Sequence, residues 1–230
     1  MKTLGLIGGM SWESTVPYYR TINQVVREQL GGLHSSRLLL HSADFDEIAR
    51  LQRAGDWDAL AGAMADAAHS LKAGGAQLLV ICSNTMHRVA DVVEATSAVP
   101  LLHIADPTGG AIRAGGFTRI GLLGTRFTME QDFYRQRLSD RHGLEVLVPE
   151  ADERELVHHV IYDELCQGTV RESSRAQYRR VMESLVARGA QGIILGCTEI
   201  GLLVGEGDAS VPLFDTTALH ARAAALAALA

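Results

Sequence analysis

A chain of 230 residues with 47% hydrophobic content can bury a sizeable core, and its length alone falls between one domain and two. The formal net charge of −6 offers no basic field to a phosphate backbone, so nucleic acid is a poor partner, although local groups can still hold a small anion. Three cysteines, at positions 82, 166 and 197, match neither a disulfide framework nor a zinc-ligand spacing, so reduced thiols and a cytoplasmic location are expected.

The opening MKTLGLIGGMSW has one lysine before a short apolar and glycine stretch, too brief for a signal core or a membrane span. It reads as a first strand over 3–8, followed by a helix at about 13–30. Strand 37–42, helix 57–73, strand 77–82, helix 85–95 and strand 101–104 complete the first half of the pattern. The second half reads as strand 118–123, helix 129–141, strand 144–148, helices 152–166 and 172–187, strand 191–196, a helix from about 198 and strand 212–214. An alanine-rich helix over 216–229 closes the chain. Short runs rich in Leu, Ile and Val alternating with amphipathic stretches predict an α/β fold with parallel sheets flanked by helices.

The chain also repeats itself. LGLIG at Leu4–Gly8 returns as IGLLG at Ile120–Gly124, Gly75-Ala76-Gln77 as Gly189-Ala190-Gln191, and Val99-Pro100-Leu101 as Val211-Pro212-Leu213. The offsets are 116, 114 and 112, in the same order along the chain, which implies two structurally equivalent halves. The expected architecture is two pseudo-symmetric domains, 1–105 plus 216–230 and 106–215, each a four-stranded parallel sheet, with a hinge near Asp106-Pro107.

Ligands in open parallel sheets sit beyond the carboxyl ends of the strands. Gly8-Gly9-Met10, Ser83-Asn84-Thr85, Gly124-Thr125 and Cys197-Thr198-Glu199 should therefore lie on the rims, and two rims turned together would form an interdomain cleft holding the active site. The middle offset places Ser83 opposite Cys197, a hydroxyl from one half and a thiol from the other. Cys197 precedes a predicted helix, whose positive dipole end would lower the thiol pKa and supply thiolate; a small buried hydrophobe at a strand end is the alternative. Asn84 and Thr85 read equally as helix caps and as groups that hold a carboxylate.

Strand alternation turns Cys82 away from Ser83. Trp12 reads as core or cleft wall, and the stretch from Asp44 to Gly55, with Gln52 and Arg53, as a solvated helical face or loop near the end of the second strand. His87, His103, His158 and His159 show no ligand spacing and read as packing or surface residues, His87 being the one nearest a rim. No G-x-G-x-x-G and no metal-ligand pattern is present.

The runs LGLIGGMSWEST from Leu4, SNTMH from Ser83, GLLGTRFTMEQDFY from Gly121 and GCTEI from Gly196 resemble the aspartate/glutamate racemase family, the amino acid racemases that work without pyridoxal phosphate. GCTEI with the preceding Asn-Thr-x-His points to the aspartate branch. The resemblance implies removal of an α-proton from one face and return of a proton on the other, with no cofactor and no metal. It also implies a small amino acid as substrate, no nucleic acid or membrane partner, and a homodimer. On that footing Cys197 and Ser83 are the catalytic pair, and Met10, Gln52, Asn84, Thr85, Thr125 and Thr198 are the substrate-binding residues.

The family's first cysteine is here Ser83, with a cysteine displaced by one to position 82. A hydroxyl is far less acidic than a thiol, so Ser83 should donate a proton and Cys197 should be the sole base, giving unequal turnover of the two enantiomers. The neighbourhood Tyr162-Asp163-Glu164 lacks the basic residue that would hold a side-chain carboxylate, so a neutral polar amino acid such as homoserine stands beside aspartate and glutamate. A one-cysteine decarboxylase and a non-catalytic amino acid binding protein are the competing readings.

Overall fold

The computed structural model describes residues Met1–Ala230 and divides into two units, Met1–His103 with His220–Ala230, and Ile104–Leu219. In the first unit β1 (Leu4–Gly8) lies between β2 (Leu38–Ser42) and β3 (Leu78–Ile81), all parallel. A central strand is covered on both faces, which is why every residue of β1 is buried and why its sequence is apolar throughout rather than alternating. Helices α1 (Trp12–Leu30), α2 (Phe45–Ala54), α3 (Trp57–Ala73) and α4 (Ala90–Ser97) accompany this sheet. Successive strand residues feed two separate clusters: Ile7, Leu79 and Ile81 pack with Leu60, Met64 and Leu71 of α3. Leu4, Leu6, Val80 and Cys82 pack instead with Tyr18, Ile22 and Val26 of α1 and with Ala221, Ala224 and Ala225.

The second unit contains α5 (Ala105–Ala114), β4 (Arg119–Gly124), α6 (Arg126–Glu130), α7 (Asp132–His142), β5 (Glu145–Leu147), α8 (Ala151–Asp163) and α9 (Glu172–Ala187). It continues with β6 (Ile193–Gly196), α10 (Ile200–Leu203), β7 (Leu213–Asp215) and the start of α11 (Thr216–Leu229). Its sheet is parallel throughout in the order β5-β4-β6-β7.

The sequence echoes mark repeated construction. Gly75 and Gly189 follow α3 and α9 with φ of 95° and 97°, a left-handed conformation that a side chain would strain. The amide of Ala76 then returns to the Leu71 carbonyl, and that of Ala190 to the Leu185 carbonyl, each at 3.0 Å. Next, the side chain of Gln77 accepts the Thr3 amide at 3.0 Å, and that of Gln191 accepts the Thr118 and Arg119 amides at 2.8 and 3.1 Å. Each glutamine clamps the start of the neighbouring strand, so Gly-Ala-Gln is one helix-to-strand joint used twice.

One expectation about elements is corrected. The first sheet has three strands rather than four: the run predicted at 101–104 makes a single parallel bridge, Leu79 with Leu101. Pro100 has no N–H to donate, and α5 begins at Ala105, which leaves no length for a ladder. Asp106 and Pro107 lie in the first turn of α5, where a proline is tolerated because no intrahelical donor is needed there. No helix is long and apolar enough to cross a membrane.

Candidate active site

The rim of the first unit is built around the end of β1. Gly9 has φ 83°, and a Cβ there would run into the backbone of Ala43, so glycine is required. The Gly9 amide donates to Thr15 Oγ1 at 2.9 Å, and that hydroxyl donates to the Ser11 carbonyl at 2.9 Å, which fixes the turn carrying the buried Met10. Trp12, at the start of α1, is 62% exposed and therefore not core. Gln52 is buried, against the expectation of a solvated face: α2 turns Ile48, Ala49 and Gln52 inward, and the Gln52 amide donates to Met86 Sδ at 3.3 Å. Arg53 is exposed and pairs loosely with Asp46 at 3.9 Å.

At the end of β3, Cys82 is fully buried in the α1-facing cluster, while Ser83, Asn84 and Thr85 are buried at the start of the following turn. That turn is a 3-10 helix over Thr85–Val89 and joins α4, in place of one continuous helix. Ser83 Oγ accepts the Met86 amide at a long 3.5 Å.

In the second unit β4 and β6 approach closely through Gly124 and Gly196, where a Cβ on Gly124 would lie 2.8 Å from the Gly196 carbonyl. Thr125 caps α6, accepting the Thr128 amide at 3.3 Å. Cys197, Thr198 and Glu199 follow β6 and are buried. The Cys197 thiol donates to Glu199 Oε2 at 2.9 Å, and the Thr198 hydroxyl donates to the same oxygen at 2.8 Å. The rim is completed by Asp215, which accepts the Thr217 and Ala218 amides at 2.8 and 3.1 Å and so caps α11. Burial raises the Asp215 pKa against those two bonds.

The registers compare the two rims directly. β1 pairs with β3 at Ile7 and Ile81, so the next residue beside Gly8 is Cys82; β4 pairs with β6 at Gly124 and Gly196. One step further, Ser83 and Cys197 hold corresponding places. Thr85 then corresponds to Glu199, so the serine has no carboxylate where the cysteine has one.

The thiol departs from expectation in its electrostatics. Burial, the Glu199 carboxylate and then Cys166 push the Cys197 pKa well up, where a helix dipole was expected to bring it down. The reason is local: α10 is a four-residue turn starting at Ile200, and the nearest charge is a carboxylate 2.9 Å away. Cys166 is likewise pushed up, by burial and then by Glu199. Glu199 is the residue whose role was missed; an acid two positions after a thiol, at the end of an apolar strand, is its signal in the sequence. No group of three or more His, Cys, Asp and Glu side chains is placed to hold a metal ion.

Comparison with known proteins gives one consistent answer. The sequence profile described as Asp/Glu/hydantoin racemase matches residues 7–224. A crystal structure of a candidate Asp/Glu racemase from Yersinia pestis is 60% identical, with TM-score 0.92 and full coverage of both chains. That of an aspartate racemase homologue from Pyrococcus horikoshii OT3 is 34% identical, with TM-score 0.84 and full coverage of both chains. The broad specificity amino-acid racemase RacX of Bacillus subtilis (strain 168) is 22% identical over 222 residues, 95% of each chain.

Proposed function

Because the chain belongs to the Asp/Glu/hydantoin racemase family, we propose that it interconverts the enantiomers of a small amino acid, with Cys197 removing the α-proton and Ser83 supplying one to the opposite face. The observation that carries this reading is the buried Cys197–Glu199 contact at 2.9 Å, set against a serine whose corresponding neighbour is a threonine.

At rest the thiol is protonated. Transfer of its proton to Glu199 gives a thiolate and a neutral carboxylic acid, with no net charge created in the buried site. A thiolate whose conjugate acid has a raised pKa is the stronger base, which suits a weakly acidic α-proton. The thiolate takes that proton and leaves a planar carbanionic intermediate; the Ser83 hydroxyl protonates its other face and is itself reprotonated from water, while Glu199 gives its proton to the hydroxide so formed and the resting state is restored. The substrate carboxylate is assigned to the polar groups of Asn84, Thr85 and Thr198, with Met10, Gln52 and Thr125 completing the binding set. The scheme requires neither metal nor pyridoxal phosphate.

The substrate is aspartate, glutamate or a neutral polar amino acid such as homoserine. A screen of the common amino acids for α-deuterium uptake in heavy water tests the reading and orders these substrates. Uptake with inversion supports it; tight binding without uptake would favour a binding protein, and release of carbon dioxide from a malonate-type acid would favour a decarboxylase. We further propose a cytoplasmic homodimer. It is supported by the exposed side chains of Trp12, Val16 and Tyr19 at helical spacing on α1, beside a fully exposed Leu33. Light scattering that reports a monomer would contradict the dimer.

A further inference from the structure

Three histidines far apart in sequence meet inside the first unit. The His87 ring lies 4.5 Å from that of His103 and 5.6 Å from that of His220, centroid to centroid, and all three residues are buried. His220 is fixed at both nitrogens: Tyr18 Oη lies 2.8 Å from Nδ1 and the Leu102 carbonyl 2.8 Å from Nε2. A carbonyl accepts only, so Nε2 carries the proton and the phenol donates to Nδ1. His87 Nδ1 lies 2.7 Å from the Ser83 carbonyl and by the same logic donates to it.

That bond replaces one the backbone does not make. In an α-helix the Ser83 carbonyl would accept the His87 amide, but the turn is 3-10 and the His87 amide goes to the Asn84 carbonyl at 3.1 Å. The imidazole of the same residue supplies the missing donor. Burial, then His103 and His220, keep the ring neutral against the pull of the Ser83 and Leu102 carbonyls, which both act on His87. The device is absent from the other half, where the residue corresponding to His87 is Gly201 and the thiol is served by Glu199 instead. Buried polar side chains are costly unless paired, and the proton transfers proposed above do not use these three.

We propose that His87 is a positioning residue for Ser83: its Nδ1–H···O=C bond fixes the peptide that carries the proton-donating hydroxyl, and the His103–His220–Tyr18 cluster holds the ring in place. This inference rests on the racemase reading for its consequence but not for its geometry.

The test uses His87→Phe, which keeps a ring and removes the donor, and His87→Asn, which restores a donor near the Nδ1 position. With L-aspartate and L-homoserine in heavy water, deuterium returned to the starting enantiomer reports Cys197 alone, while appearance of the opposite enantiomer reports Ser83 as well. The ratio of exchange to inversion should rise about fivefold in His87→Phe and return to within about twofold of wild type in His87→Asn, the scale expected for one positioning hydrogen bond. General damage would lower both rates together and leave the ratio unchanged, which would overturn the proposal. Independently of turnover, amides of residues 83–89 should exchange about tenfold faster in His87→Phe than in wild type or His87→Asn, with the rest of the chain unchanged. If the phenylalanine variant does not fold, 15N spectra of wild-type histidines decide the matter: a proton on Nδ1 of His87 is required, and the Nε2-protonated form would refute the bond. Absence of any exchange by wild type would defeat the racemase reading and leave the amide and 15N measurements to judge His87.

Discussion

The Cys197 thiol points its proton at Glu199 Oε2, 2.9 Å away, and the carboxylate that receives it is 1% exposed. In the proposed mechanism the pair lets a thiol whose pKa is driven up by burial act as a base: the proton crosses the hydrogen bond to a group already in contact, and the thiolate so formed is strongly basic.

Glu199→Gln should therefore lower turnover by about 10²- to 10³-fold, within the range of general-base contributions, with little change in KM. The thiolate would then form only by direct ionisation, so the residual rate should climb toward alkaline pH where wild type is flatter. Rate profiles of the two proteins between pH 6 and 10 check this, and an unchanged profile would remove Glu199 from the mechanism.

Ser83→Cys gives the first half a thiol at the place that corresponds to Cys197 in the second. It can abstract as well as donate, so the slower enantiomer should gain more turnover than the faster one, while the equilibrium constant stays fixed. The gain is bounded because Thr85 stands where a partner carboxylate would be needed. Initial rates from each enantiomer measure it; equal loss in both directions would mean that position 83 only packs.

Cys82→Ser separates stability from activity. Cys82 is fully buried among Leu4, Leu6, Tyr18 and Val80, so an unpaired hydroxyl there should cost about 1–3 kcal/mol of stability. Turnover of the folded protein should be unchanged. Denaturant titration and kcat read the two effects separately, and a large fall in kcat at unchanged stability would mean that Cys82, not Ser83, serves the reaction.

Stability should also fall on mild acidification. His87 has its pKa held well below 6.5, first by burial and then by His103 and His220, so the folded state resists a proton that the unfolded chain accepts. The unfolded state binds more protons below about pH 6.5, so stability is full above that pH and declines as pH drops toward the folded-state value. Thermal melts from pH 8 to 5 should show this decline, weakened in His87→Asn; equal slopes would rule out His87 as the titrating group.

Much of this was legible in the chain because duplication repeats joints as well as letters. Gly75 and Gly189 take the same left-handed conformation, Gln77 and Gln191 make the same clamp, and one shared register step aligns Ser83 with Cys197. What stayed hidden depends on distance or context. A strand of normal apolar composition at 101–104 fails because Pro100 and the nearby helix start limit it to one bridge. The thiol pKa follows a neighbouring carboxylate and a truncated helix, neither visible in residue type alone. The cluster of His87, His103 and His220 joins positions that only the fold brings together.

The most direct test of Cys197 as the base is α-deuterium uptake in heavy water by wild type and Cys197→Ser, each first shown to be folded by its melt. Wild type should incorporate one deuterium at the α-carbon of its substrate. Cys197→Ser should fall at least about 100-fold, because a hydroxyl is a far weaker source of the required anion. Uptake by Cys197→Ser at near wild-type rate, in a folded protein, would contradict the account.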